Sequence, residues 1–294
     1  MAVWTRREWL YKAGLGTAAC SLIPSLISEE PRAATHTRGN ISDQDEIALG
    51  NKFAEQLEKE QPIVSNSIID PYLTKMVQEL ASKSQRPNMP YHIKLVNTME
   101  VNASSIPGGG LYLNRGLFEL VTSEDQLAAT LAHEIGHVVG RHAINQLMLS
   151  FEAKALLKPV LDNLHKQNGV VEKIILSMGG AVAMLAMLHF SRQDEAQADM
   201  LGFYEMLRAG WDPRGFIKMF AMLDKLEKSS GGSHIRFLSD HPPTPERLEA
   251  VRREAHVVSI PANARTDSFA FHAAKTALHV LPDPPKPHKP AKKQ

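Results

Sequence analysis

Residues 130–142 constrain this chain more than any other stretch, because they hold His133-Glu134-Ile135-Gly136-His137 inside a run with helical periodicity. At 3.6 residues per turn, His133 and His137 lie one turn apart on one face, so both imidazoles can reach one metal ion. Glu134 is rotated about 100° from His133, which sets its carboxylate beside such an ion and not on it. A general base that takes a proton from a metal-activated water has to sit there. The helix itself is well signalled. Ser123 and Gln126 suit a capping box, and Glu124 and Asp125 suit the positive N-terminal end. Leu127, Ala128, Leu131, Ile135, Val138 and Val139 make an apolar stripe. The plainer reading is a buried helix whose histidines only hydrogen-bond to their neighbours. A third ligand would separate the two.

A catalytic zinc takes three protein ligands and leaves one position open. Two plans for the third ligand fail on position. A metzincin pattern needs a histidine at 143, where the chain has Ala143, and His142 falls one short. A deformylase-type site needs a cysteine, and the only one is Cys20, near the N-terminus. The run Glu195-Ala196-Gln197-Ala198-Asp199 offers better chemistry. Its two carboxylates lie one turn apart on one helical face, so Glu195 can bind metal while Asp199 accepts a hydrogen bond from a ligand histidine. The plainer alternative is a solvated acidic face paired with Arg192.

Length and charge exclude little, but they exclude something. The 294 residues suffice for one large domain or two small ones, and a formal net charge of +1 gives nucleic-acid binding no support. With one cysteine no intrachain disulfide can form. The N-terminus carries Arg6-Arg7 and Lys12 ahead of an apolar stretch from Ala13 to Ile27, the pattern of an export signal over residues 1–34, here of twin-arginine type. Thr17-Ala18-Ala19-Cys20 looks like a degraded lipoprotein box, which leaves lipidation at Cys20 as an alternative to simple cleavage. Either route places the mature chain in the periplasm or on the outer face of the cell envelope.

Helices are expected from Ser42 through Leu57 and from Pro71 to Lys83, both as scaffold. Residues 91–96 alternate as a half-buried strand, and Val101–Ile106 followed by Leu111–Leu113 reads as a second extended pair. This makes a small sheet edge just before the metal helix. Peptidases commonly take substrate as an added strand on such an edge, which nominates Asn102, Ala103 and Ser104; a simple hairpin is the alternative. Helix is expected to continue over Phe151–Leu164. Val170–Phe190 is strongly apolar, but its uncharged run is shorter than the roughly 20 residues that a membrane span needs, so it reads as one buried core helix. Residues 261–294 form a C-terminal extension with one short packed helix or strand at 269–281. Its Pro- and Lys-rich end reads as disordered, with a basic charge that could meet anionic lipid headgroups at the membrane periphery.

Four blocks occur in the order and approximate spacing of one peptidase family. They are Asn102-Ala103 with Pro107-Gly108-Gly109, the His133–His137 motif, Glu195–Asp199, and Ser239-Asp240-His241-Pro242-Pro243-Thr244-Pro245-Glu246-Arg247. The chain resembles the HtpX-like gluzincin metallopeptidases, which include the CAAX prenyl proteases, and is most similar to their soluble exported bacterial branch. The resemblance implies an α+β, mainly helical fold: a minigluzincin-type domain over residues 35–260, with a small sheet edge beside the motif helix. It implies one zinc ion bound by His133, His137 and Glu195, with Glu134 as base and Asp199 behind a ligand. It also implies endopeptidase action on misfolded envelope proteins. The family strand usually reads Asn-Ala-Phe-Ala, and Ser104-Ser105 replace its last pair here. His241 and Arg247 are candidates to steady a tetrahedral oxyanion, and the plainer reading is a Pro-rich loop fixed by a salt bridge of Arg247. His241 can instead occupy the open metal position and keep the enzyme latent. The alternative from another class is a metal-bearing envelope chaperone or assembly factor with latent proteolysis.

Overall fold

The computed structural model describes residues 41–230 and 236–285. The expected export signal with Arg6-Arg7, Cys20 and the far end of the Lys-rich tail lie outside the described residues. The chain enters α1 (Asp43–Glu60) through the anticipated cap, where Ser42 Oγ accepts from the Asp45 N–H and Asp45 Oδ2 accepts from the Ser42 N–H. Then follow β1 (Ile63–Val64), α2 (Ile69–Ala81), β2 (His92–Val96), β3 (Ala103–Ser105) and β4 (Gly110–Asn114). The sheet runs in the order β1-β2-β4-β3. β3 and β4 form the expected antiparallel pair, with Ser104 opposite Tyr112, while β2 and β4 are parallel. β3 is therefore an edge strand.

Eleven further α-helices complete the described residues: α3 (Arg115–Leu120), α4 (Glu124–Val139), α5 (His142–Ala153), α6 (Leu157–Asn163), α7 (Val170–Ser177), α8 (Ala181–Ala186), α9 (Arg192–Arg208), α10 (Gly215–Ser230), α11 (Arg236–Asp240), α12 (Pro245–Val257) and α13 (Phe269–Ala277). The protein is thus mainly helical with one small sheet, an α+β fold. Two expectations need correcting. Phe151–Leu164 is not one helix, since Ala155 at φ 56° separates α5 from α6. Val170–Phe190 is two short helices, because Gly179 and Gly180 both take positive φ, at 101° and 90°. Nor is that stretch fully buried: Leu176 and Met187 are more than half exposed. The second helix is held at its start by Glu60, whose carboxylate oxygens accept from the Ala181 and Val182 N–H groups at 3.1 and 3.0 Å. Among the described residues no helix is long and apolar enough to cross a membrane.

Side chains alternate across β4, and this divides the interior in two. Leu111 and Leu113 join a cluster with α2, α4, α9 and α10, whereas Tyr112 joins a second cluster with α1, α5, α7 and α8. Residues 265–281, within the expected C-terminal extension, belong to the first cluster through Phe271, Ala274, Ala277, Leu278 and Leu281. The placement that matters most is α4 against α9. A Cβ on Gly136 would lie 2.5 Å from the Ala198 carbonyl oxygen, and one on Gly202 would lie 2.8 Å from the Ala132 carbonyl. The two helices therefore meet backbone to backbone, which sets the motif face of α4 directly on the acidic face of α9.

Candidate metal centre

α4 starts where the sequence indicates. Gln126 Oε1 accepts from the Thr122 and Ser123 N–H groups at 2.7 and 3.3 Å, so the helix is anchored about two turns before His133. His133 and His137 project from one face and bring their Nε2 atoms to 3.0 Å of each other. α9 opens with Ser191, whose hydroxyl accepts from the Asp194 N–H at 3.2 Å; this fixes the first turn, which carries Glu195. Glu195 Oε1 lies 3.4 Å from His137 Nε2, and its Oε2 lies 3.5 Å from His133 Nε2. His241 follows α11 and enters from the third side, with Nδ1 2.9 Å from Glu195 Oε1 and 3.2 Å from His133 Nε2. All four residues are buried.

Three imidazole nitrogens and one carboxylate oxygen thus fall within 4.8 Å of one another. That donor set suits a divalent transition metal, and the surroundings suit it too. Glu134 is buried next to the group, and its Oε1 has no hydrogen-bond partner among the described residues. It lies 3.6 Å from His241 Nε2, and so flanks the cluster without joining it.

Behind the cluster, Asp199 Oδ1 lies 3.0 Å from His133 Nδ1. Since a carboxylate accepts, His133 carries a proton on Nδ1, which leaves Nε2 as the nitrogen that faces the site. Arg247, at the start of α12, donates from Nε and Nη2 to both Asp199 oxygens at 2.7 Å and from Nη1 to the Pro242 carbonyl at 2.9 Å. Its Nη1 also lies 2.7 Å from Glu195 Oε2, an ion pair outside good hydrogen-bond alignment. Expected as an oxyanion group, Arg247 does not line the cleft, and its donors are committed to the carboxylates behind the site.

The charge balance follows from these contacts. Burial opposes charge on His133, but Asp199 and Glu195 outweigh it and raise the imidazole to about 9. Burial dominates at His137 and pushes it well below the usual histidine range. Burial would raise Asp199, yet the Arg247 guanidinium holds it below the usual aspartate range. Burial at Glu195 is likewise outweighed, by His241 and then the other two imidazoles, so its carboxyl is lowered. Glu195 is thus held ionised, and a cation held by these residues would have to displace the second proton of His133.

A cleft opens on the group. Glu134 and His241 line it, Asn102, Ser104 and Ser105 form the strand side, and Leu57, Tyr112, Val182, Leu185, Leu188 and Phe190 form an apolar wall. Of the three residues nominated for substrate, Asn102 and Ser104 line the cleft, whereas the Ala103 side chain is buried in the first cluster. The sequence reading passed over Phe190, whose ring lies 4.2 Å from that of His137, and also Gln197 and His142. His142 is 2.9 Å from His137, nitrogen to nitrogen. The one local sign of it was Gly140-Arg141, a helix break directly before a histidine.

Residues 68–255, which include His133, Glu134, His137, Glu195, Asp199, His241 and Arg247, match the profile of Peptidase family M48. The chain belongs to that family. This M48 peptidase is 27% identical over 259 residues to the beta-barrel assembly-enhancing protease of Escherichia coli K12, an alignment covering 84% of this chain and 51% of that protein. It is 25% identical over 214 residues to the metalloprotease YcaL of the same organism, covering 72% and 80% of the two chains. Against the mitochondrial metalloendopeptidase OMA1 of Schizosaccharomyces pombe it is 25% identical over 180 residues, covering 61% and 51%. The chain spans about half the length of the assembly-enhancing protease.

Proposed function

We propose that this M48 peptidase is a zinc-dependent endopeptidase that hydrolyses peptide bonds of misfolded cell-envelope proteins. The observation that carries the reading is the buried convergence of His133, His137 and Glu195 with Glu134 beside them, at the floor of a cleft with an edge strand on one side. Zinc held by His133, His137 and Glu195 would supply Lewis-acid polarisation of the scissile carbonyl and acidify the attacking water. Glu134 takes the proton from that water at its Oε1 and later delivers it to the leaving amine. Asp199 holds the His133 ring, and Arg247 holds Asp199 and Glu195 in turn. The substrate chain adds to β3, where Asn102 and Ser104 turn their backbone groups to β4, Ala103 turns its own outward to pair, and the side chains of Asn102 and Ser104 face the bound chain. The Ala103 side chain takes no part. Export to the periplasm or the outer face of the envelope fits the Arg6-Arg7 leader, and the name of the assembly-enhancing relative supports a substrate among envelope proteins.

His241 favours a second element of this reading. Its Nδ1 is the fourth group of the cluster, so the imidazole occupies the position that a substrate or water must take, and the enzyme is latent until that loop moves. Zinc content and cleavage of unfolded casein test both parts on the full chain. Glu134→Gln should keep its zinc and lose cleavage by about a hundredfold or more. His241→Ala should keep zinc and gain cleavage. Glu134→Gln cleaving at the unmutated rate would remove the base from the account. Equal zinc with no cleavage in the unmutated chain or in His241→Ala would favour the metal-bearing chaperone instead.

A further inference from the structure

We propose that His142 and Gln197 form a hydrogen-bond relay that fixes the tautomer and ring orientation of His137, and so sets its strength as a metal ligand. The inference rests on the reading of His137 as a ligand.

The nitrogens decide the direction of the relay. His137 Nδ1 and His142 Nδ1 lie 2.9 Å apart, a separation at which one of them must carry a proton and the other must not. The far side of His142 shows which. Its Nε2 lies 3.0 Å from Gln197 Oε1 and 3.6 Å from Asp194 Oδ1. A carboxylate oxygen only accepts, and so does an amide oxygen, so the His142 proton sits on Nε2 and its Nδ1 is bare. The proton between the two rings then belongs to His137 Nδ1. His137 Nε2 is left with its lone pair directed at the site, 3.4 Å from Glu195 Oε1. His133 reaches the same tautomer by a different device, the Asp199 carboxylate.

The backbone is bent to make this contact. In a continuous helix residue 142 would point about 140° away from residue 137, out of reach. Arg141 interrupts the helix in the left-handed region, at φ 58° and ψ 28°, and turns His142 back onto the face of His137. A non-glycine residue is strained there and needs surrounding contacts to hold it. Arg141 Nη2 donates to the Ile41 carbonyl at 2.8 Å, and its Nε lies 2.9 Å from Glu46 Oε2. Gly140 makes the room: a Cβ there would sit 2.4 Å from His142 Nε2. Phe190 lies against both rings, which are buried. Strain held in place beside a metal cluster points to a role beyond filling space.

Zinc affinity of the full chain, measured by competition with a chromophoric chelator, tests the relay without recourse to activity. His142→Leu removes the acceptor and should weaken zinc about tenfold to a hundredfold. His142→Asn places an amide oxygen near the lost Nδ1 and should stay within about threefold of the unmutated chain. A role in filling space predicts the reverse order or equal loss, and either result overturns the relay. Native affinity in His142→Leu overturns it as well. His137→Ala should lose zinc far more severely. If it does not, the ligand reading falls and the relay with it, whereas native affinity in His142→Leu alone removes only the relay. One measurement needs no variant. Nitrogen-15 imidazole spectra of the zinc-free chain should show His137 as the Nδ1–H tautomer, and an Nε2–H tautomer overturns the inference.

Discussion

Arg247 has no exposed charge to offer a substrate, and its value lies in what would happen to Asp199 and Glu195 without it. Both carboxylates are buried, and the guanidinium fork contacts each of them. Removing one partner of a buried ion pair leaves an uncompensated charge, which costs about 3–5 kcal/mol. Arg247→Ala should therefore lose stability of that order in urea unfolding of the metal-free protein. Arg247→Lys should fall between, since an ammonium keeps the charge but cannot bridge both Asp199 oxygens. A loss below about 1 kcal/mol for the alanine variant would contradict this account. At this scale the sequence was informative where chemistry is local. His133, Glu134 and His137 were legible because one helical turn relates them, and Glu195 with Asp199 for the same reason. His142 was not legible, because its reach to His137 depends on the left-handed state of Arg141, which leaves no periodic trace. Arg247 was singled out for the right region with the wrong neighbour, because which carboxylates it meets is decided by α12 lying against α9.

The contact of α4 with α9 converts two separate helical faces into one site. Its closeness depends on Gly136 and Gly202, where any side chain would strike the opposite backbone. Gly136→Ala should force the helices apart, at about 1–3 kcal/mol for an overpacked interior, and should weaken zinc because Glu195 recedes from His137. Thermal unfolding of the metal-free protein and chelator competition, read together, check this. Unchanged values in both would mean that the interface yields without moving the ligands. Element positions were largely readable: caps at Ser42 and Gln126, the strand at β2, and the β3–β4 pair, although β2 is not half-buried by alternation, since Leu95 and Val96 are both buried, one in each cluster. The paired Gly179 and Gly180 were visible as an interruption, but not that both take positive φ and split the apolar stretch in two. The parallel pairing of β2 with β4 was out of reach, since no local pattern encodes which distant strand becomes a neighbour.

Over the whole molecule, residues 265–281 do more than trail the catalytic region. Arg265 lies 3.9 Å from the Trp211 ring centroid and pairs with Glu79 at 2.7 Å. Lys275 donates to the carbonyls of Phe118, Glu119 and Val121, closing the end of α3. Phe271 is buried, with its ring 6.4 Å from that of Phe118. Phe271→Ala should cost about 3–5 kcal/mol, and a chain stopped after Pro261 should fail to fold or unfold far below the intact one. A truncated chain with native unfolding temperature would show that the first cluster is complete without this segment.

The division of the interior by β4 has one more consequence. His133, Glu134, His137 and Glu195 stand on helices of the first cluster, while Leu57, Tyr112, Val182 and Leu188, the wall a substrate side chain would meet, belong to or lie against the second. Glu60 fastens the Val182 part of that wall to α1, while Phe190 of the same wall lies against His137 on α4. On the function proposed above, bond cleavage and the fit of an apolar substrate side chain would draw on largely different sets of residues. On that reading, exchanging one wall residue at a time would alter what the cleft accepts and leave the buried His-Glu cluster as it is.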